Sequence, residues 1–118
     1  FYDRDLKHAA YRGINWAQQV DLIVAELPQK VYLSFDIDGL DPKLCPHTGT
    51  PVAGGLEVEQ VLFLVEEVLA SGRQLIGFDL NEVAPGPEGD WDANVAARLL
   101  YRLANALGKA NGRCTFAA

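Results

Sequence analysis

The chain has 118 residues, 49% apolar and 22% charged, enough for one hydrophobic core and unlike the make-up of a disordered chain. Its net charge is -6, with lysines and arginines scattered along it, which disfavours tight nucleic-acid binding through a basic stripe and suits a cationic ligand better. Apolar runs are too short to cross a bilayer, and no basic-then-apolar leader follows Phe1, so neither a membrane segment nor a secretory signal is expected. Phe1-Tyr2-Asp3 reads as the end of an apolar element running into a polar loop (Arg4, Asp5, Lys7), as though the chain were entered midway. Asn15 is placed to cap a helix whose apolar residues Trp16, Val20, Ile23, Val24 and Leu27 recur at three- and four-residue steps, with Pro28 ending it. Val31 to Phe35 reads as a short strand buried on both faces. Residues 38–56 form a long loop with three prolines and four glycines, of the kind that is usually functional. Glu57 opens a second helix with Val58, Val61, Leu62, Val65, Val68 and Leu69 on one face, closed by Gly72 at the C′ position. Leu75 to Leu80 is a second buried strand, EVAPGPEG a second Pro/Gly loop, and Asp90 caps a last helix carrying Val95, Leu99, Leu100, Leu103 and Leu107.

Strands alternating with helices are the signature of an α/β fold with parallel strands joined by helical crossovers. Two such strands leave a parallel sheet short of partners, so a larger sheet is expected around them. Both strands deliver acids at their C-terminal ends, where ligands bind in open α/β sheets: Asp36 and Asp38 after the first, Glu82 after the second. Strand alternation would turn Asp36 and Asp38 to one side with Ile37 opposite, and two carboxylates so placed repel unless a divalent cation lies between them. The plainer reading is that these acids cap loop N–H groups; Asp41, directly before Pro42, suits such a turn role. A further alternative is the magnesium-dependent haloacid-dehalogenase phosphotransferases, which also open on D-x-D-G. That family also requires a downstream Ser or Thr, a Lys and a late acidic pair; here G-F-D-L-N-E-V does not match the acidic pair convincingly and a Lys in the right context is missing.

Three consecutive blocks, S-F-D-I-D-G-L-D-P, T-G-T-P-V-A-G-G-L and G-F-D-L-N-E-V-A-P, closely resemble the ureohydrolase family of arginases, agmatinases and formimidoylglutamases. The match is strong from Val31 to about Pro85 and looser through D-W-D-A-N-V-A-A-R-L-L-Y. The resemblance implies a three-layer α/β/α arginase-like fold, of which residues 1–118 hold only the later strands and helices, the C-terminal part of a single ureohydrolase domain. It implies two Mn2+ ions per active site, with Asp36 bridging both and Asp38 binding one. It further implies Thr50 as a hydroxyl beside the substrate and Glu82 as the carboxylate that grips a guanidinium or formimino group, with Asp38 and Glu82 taking the catalytic roles. The reaction so implied is attack of a metal-bridging hydroxide on the substrate's central carbon, releasing urea (or formamide) and an amine. The E-V-A-P loop leans toward agmatinase over arginase.

Plain structural readings stand beside these: Glu82 as an acid capping its own turn, and Thr50 as a loop hydroxyl bonded to its own backbone. Gly49, Gly54 and Gly55 are expected to serve tight loop geometry, His47 to be a loop histidine and His8 a surface residue. Trp16 and Trp91 are expected to be core or helix-anchoring aromatics. Two octahedral metals need more ligands than two aspartates, and the family draws the rest from an earlier histidine and an Asp-x-His-x-x-x-Asp block that does not occur here. The expected piece is therefore inactive alone, and its relatives' trimers or hexamers imply a homo-oligomer. The competing expectation is a non-catalytic ureohydrolase-like domain. Cys45 and Cys114 lack metal-ligand spacing and read as free thiols in a reducing cytoplasm.

Overall fold

The computed structural model describes residues 1–87 and 89–113, so Cys114 lies outside the described residues. The order is α1 (Asp3–Tyr11), α2 (Trp16–Ala25), β1 (Lys30–Asp36), a 3-10 turn (Ile37–Gly39), α3 (Val58–Ala70), β2 (Gln74–Asn81) and α4 (Trp91–Ala110). The opening segment is not a polar loop but a helix. Asp3 and Asp5 lie in its first turn and His8 in its last, the arrangement that suits the helix dipole. It has no buried residue, which is why apolar periodicity did not announce it.

The other helices start where their caps put them. Asn15 and Gln18 form a reciprocal capping box at α2, and Glu57 and Gln60 form another at α3. Asp90 stands at the N-cap of α4 but makes no side-chain cap hydrogen bond. Helix α2 ends at Ala25, short of Leu27.

β1 and β2 pair in parallel, Lys30 with Gln74 and Asp36 with Asn81, with an irregularity between Val31 and Tyr32 that sets Tyr32 opposite Gly77. Leu33 and Phe35 of β1, and Phe78 and Leu80 of β2, pack with Val61, Leu62 and Val65 of α3 and Val95, Leu99 and Leu103 of α4 in one core. A smaller core, Val20, Val24 and Val68, joins α2 to α3. Burial of Leu99 or Leu103, each fully inaccessible, contributes roughly 1.5–3 kcal/mol. The strands are not buried on both faces: Tyr32, Ser34 and Asp36 alternate outward and are exposed. Among the described residues the sheet therefore has one covered face, and an apolar groove of about 490 Å³ runs beside Val31, Leu33, Leu64 and Val68.

Trp16 donates its Nε1–H to the Gln60 carbonyl (3.1 Å) and ties α2 to α3. Trp91 is half exposed rather than core, and donates to the Lys43 carbonyl (3.2 Å), fastening α4 to the long loop. No described helix is long and apolar enough to cross a membrane.

Candidate metal and substrate site

Asp36 is the last residue of β1, and the chain then tightens into the 3-10 turn instead of continuing the pleat. Ile37 drives this: it is fully buried in the core, and its carbonyl accepts from the buried Cys45 Sγ at 3.3 Å. Asp36 and Asp38 are thus separated by a turn, not by the strand alternation that the sequence suggested. Asp36 is exposed and Asp38 half-buried. Burial pushes the Cys45 thiol above its ordinary value, with the nearby carboxylates Asp92, Asp38 and Asp41 adding to the shift.

Leu40, fully buried, makes a parallel bridge with Leu56. Asp41 N–H donates to the Leu56 carbonyl and Leu56 N–H to that of Gly39, both at 3.0 Å. The loop therefore leaves and returns at one place. Gly55 makes the return possible: its φ is +89°, and a Cβ there would stand 2.5 Å from the Leu40 carbonyl carbon. Gly54 also has positive φ, whereas Gly49 does not. Asp41 takes the turn role expected of it, its Oδ1 accepting from Lys43 N–H at 3.0 Å. Helix α1 reaches this loop too, as Lys7, paired with Asp3, donates to the Gly55 carbonyl at 2.8 Å.

Within this frame Thr50 donates its hydroxyl to Asp38 Oδ2 at 2.6 Å, across twelve residues of sequence. Two of the expected site residues are thus in direct contact. Glu82 follows β2, is exposed, and is the non-glycine residue with positive φ (67°) among those described. Its side chain makes no hydrogen bond or ion pair among the described residues, but its backbone carbonyl accepts from Thr48 Oγ1 at 2.9 Å. Thr48 is only 4% exposed.

Sequence reasoning missed the neighbour of Thr48. His47 is a loop histidine, but not a free one: Asp92, 1% exposed at the start of α4, accepts from His47 N–H (3.0 Å) and faces its Nδ1 (2.9 Å). Gly86 lies under the imidazole, where a Cβ would stand 2.4 Å from the ring. Nothing in the spacing of His47 and Asp92, forty-five residues apart, announces this pair. At the outer face of the sheet Asp79 is held below the ordinary carboxylate range by the Ser34 hydroxyl first, then by Tyr32 and Asn81.

The donor set suits a hard or borderline dication. Asp36 has no side-chain hydrogen bond among the described residues and Asp38 has one, so both keep oxygen lone pairs for a metal. Among the described residues no three His, Cys, Asp or Glu side chains gather as a complete metal site. Asp36 and Asp38 could supply part of the ligand set of such a dication.

The α/β frame thus presents Asp36 at the end of β1, Asp38 in the turn that follows and Glu82 on the neighbouring loop. The family model that matches is "Arginase family", over residues 4–105. The N(1)-aminopropylagmatine ureohydrolase of Thermococcus kodakarensis is 41% identical over 107 residues, covering 91% of this chain and 36% of that protein. The guanidinobutyrase of Pseudomonas aeruginosa is 39% identical over 94 residues, covering 75% of this chain and 29% of that protein. Among solved structures, the proclavaminate amidino hydrolase of Streptomyces clavuligerus superposes with a TM-score of 0.70 at 32% identity, covering 85% of this chain and 34% of that one. The chain belongs to the arginase family, and its fold is the corresponding part of the arginase-like α/β fold. It spans about a third of the length of the proteins it matches.

Proposed function

We propose that residues 1–118 are the C-terminal part of a single ureohydrolase domain, and that the complete protein hydrolyses a guanidino or formimino substrate with two manganese ions. The Thr50–Asp38 hydrogen bond carries this reading, because it joins the two residues to which the family resemblance gives substrate and metal contacts. Asp36 and Asp38 would hold the ions together with ligands from the rest of the protein. Bound manganese would lower the pKa of a water toward neutrality and so supply the nucleophile.

The chain's own residues do the remaining work. Glu82 presents a carboxylate to which a planar guanidinium, with its forked donors, can make two parallel hydrogen bonds. That grip fixes the substrate carbon. Asp38, half-buried and accepting from Thr50, would take the proton given up by the attacking water and pass it to the departing nitrogen. The names of the relatives differ in their guanidino or amidino substrates, and the E-V-A-P loop favours an agmatinase-type substrate. We place the protein in the cytoplasm as a homo-oligomer, trimeric or hexameric.

The test is a manganese titration and urea assay of the complete protein against agmatine, arginine, guanidinobutyrate and formiminoglutamate. Two tightly bound ions and turnover of one substrate are expected, with Asp36→Ala abolishing both ions. One weak site or none would show a non-catalytic domain instead. The 118-residue chain alone is expected to release no urea.

A further inference from the structure

We propose that Thr48, with His47 and Asp92 behind it, is a positioning device that sets Glu82 against the Thr50–Asp38 pair; this rests on the ureohydrolase reading of Glu82. Pairing of Asp36 with Asn81 sets the roots of the two loops side by side, but Thr50 lies far along the loop after β1, so the strands alone do not fix Glu82 relative to it. The Thr48 hydroxyl joins them, donating to the Glu82 backbone carbonyl at 2.9 Å. Thr48 is 4% exposed, so this bond is shielded from competing water, and Glu82 is held in the left-handed region (φ 67°) that a non-glycine residue seldom adopts unaided. A peptide turned this way aims the Glu82 side chain differently from an extended one.

Thr48 is in turn held from behind. The adjacent His47 is gripped at its backbone N–H and at its ring by the two oxygens of Asp92, itself 1% exposed. The absent Cβ of Gly86, four residues after Glu82, lets the imidazole close onto the second loop. Three contacts therefore converge between the first loop, the second loop and the start of α4. Thr48 and His47, the Glu82 backbone, Gly86 and Asp92 make them, and neither the Thr50 nor the Glu82 side chain takes part.

The experiment uses the complete, manganese-loaded protein and the variants Thr48→Val, Thr48→Ser and His47→Ala. Thr48→Val keeps the shape and removes the donor, and a misplaced Glu82 should lower kcat/KM by about 100-fold. Manganese content and Tm should stay close to the parent's, and Thr48→Ser should recover most of the loss. His47→Ala should fall between them. A crystal structure of Thr48→Val should show the Glu82 peptide turned out of its positive-φ conformation, a readout that does not depend on turnover.

Unchanged kcat/KM in Thr48→Val, or a Glu82 conformation unchanged in its crystals, would overturn the proposal. So would a loss that tracks manganese content or Tm, since that marks a merely structural threonine. A parent protein that binds manganese but turns over no guanidino or formimino substrate overturns the ureohydrolase reading instead, and the crystal structure still decides the latch.

Discussion

At the residue scale, the buried thiol and the buried acid behave differently from exposed ones. Cys45 is fully buried and its thiol is pushed up from an ordinary value of 9.0. The thiolate is the reactive form, so labelling by an aromatic disulfide reagent at pH 8 should be slow in the folded protein and rapid in urea, measured in a Cys114→Ser background. Because the folded state keeps the proton longer than the unfolded one, this group also makes stability fall as pH rises past about 9. Rapid labelling of the native protein would show that the thiol is not enclosed. In the core, Leu99→Ala should cost about 2–5 kcal/mol in urea denaturation of the complete protein, because the side chain is fully enclosed between α3, α4 and the sheet. The acids at 36, 38 and 82 stand out in the sequence because they close apolar runs, although only Asp36 ends a strand. The contacts of Thr48, His47 and Asp92 were not, since a hydroxyl or an imidazole in a loop carries no periodicity and its partner is set only by folding.

At the element scale, capping and backbone geometry decide where the structure begins and turns. Asn15→Ala removes the oxygen that accepts from Gln18 N–H at 2.9 Å, and should cost about 1 kcal/mol by denaturant titration. Gly55→Ala should be worse, for the new methyl meets the Leu40 backbone at 2.5 Å and the positive φ is strained as well. Loss of protection at the Asp41 and Leu56 amides by hydrogen exchange would report it. Helices α2, α3 and α4 and both strands were readable from apolar spacing and turn residues. Helix α1 was not, because it buries nothing among the described residues and leaves only charge pattern as a signal. The 3-10 turn was hidden for another reason: the D-x-D spacing suits a strand equally well, and only burial of Ile37 shows that the strand has stopped.

At the scale of the whole molecule, the described residues form a two-stranded sheet with one covered face. Its outer face shows Tyr32 and Ile76, each more than half exposed, and an apolar groove lies beside Val31, Leu33 and Val68. The 118-residue chain made alone should therefore enhance the fluorescence of an apolar dye strongly, while the complete protein should not. Equal weak binding by both would show that the short chain shields its own apolar surface. The alternation of strand and helix led to the expectation of a larger sheet, but it could not say which face lacks cover. That follows from the outward placement of Tyr32, Ser34 and Asp36.

The Leu40–Leu56 bridge has a consequence for how such a protein can change over generations. A segment whose two ends already touch contributes almost nothing to the strands by its length, because lengthening a closed excursion adds only about 0.6 kcal/mol per doubling. Residues around the exposed Val52 can thus be lengthened or rewritten while Asp36, Asp38 and the core beneath them stay in place. On the ureohydrolase proposal, new substrate preferences would arise there by insertion and drift, with the carboxylates of Asp36 and Asp38 inherited unaltered.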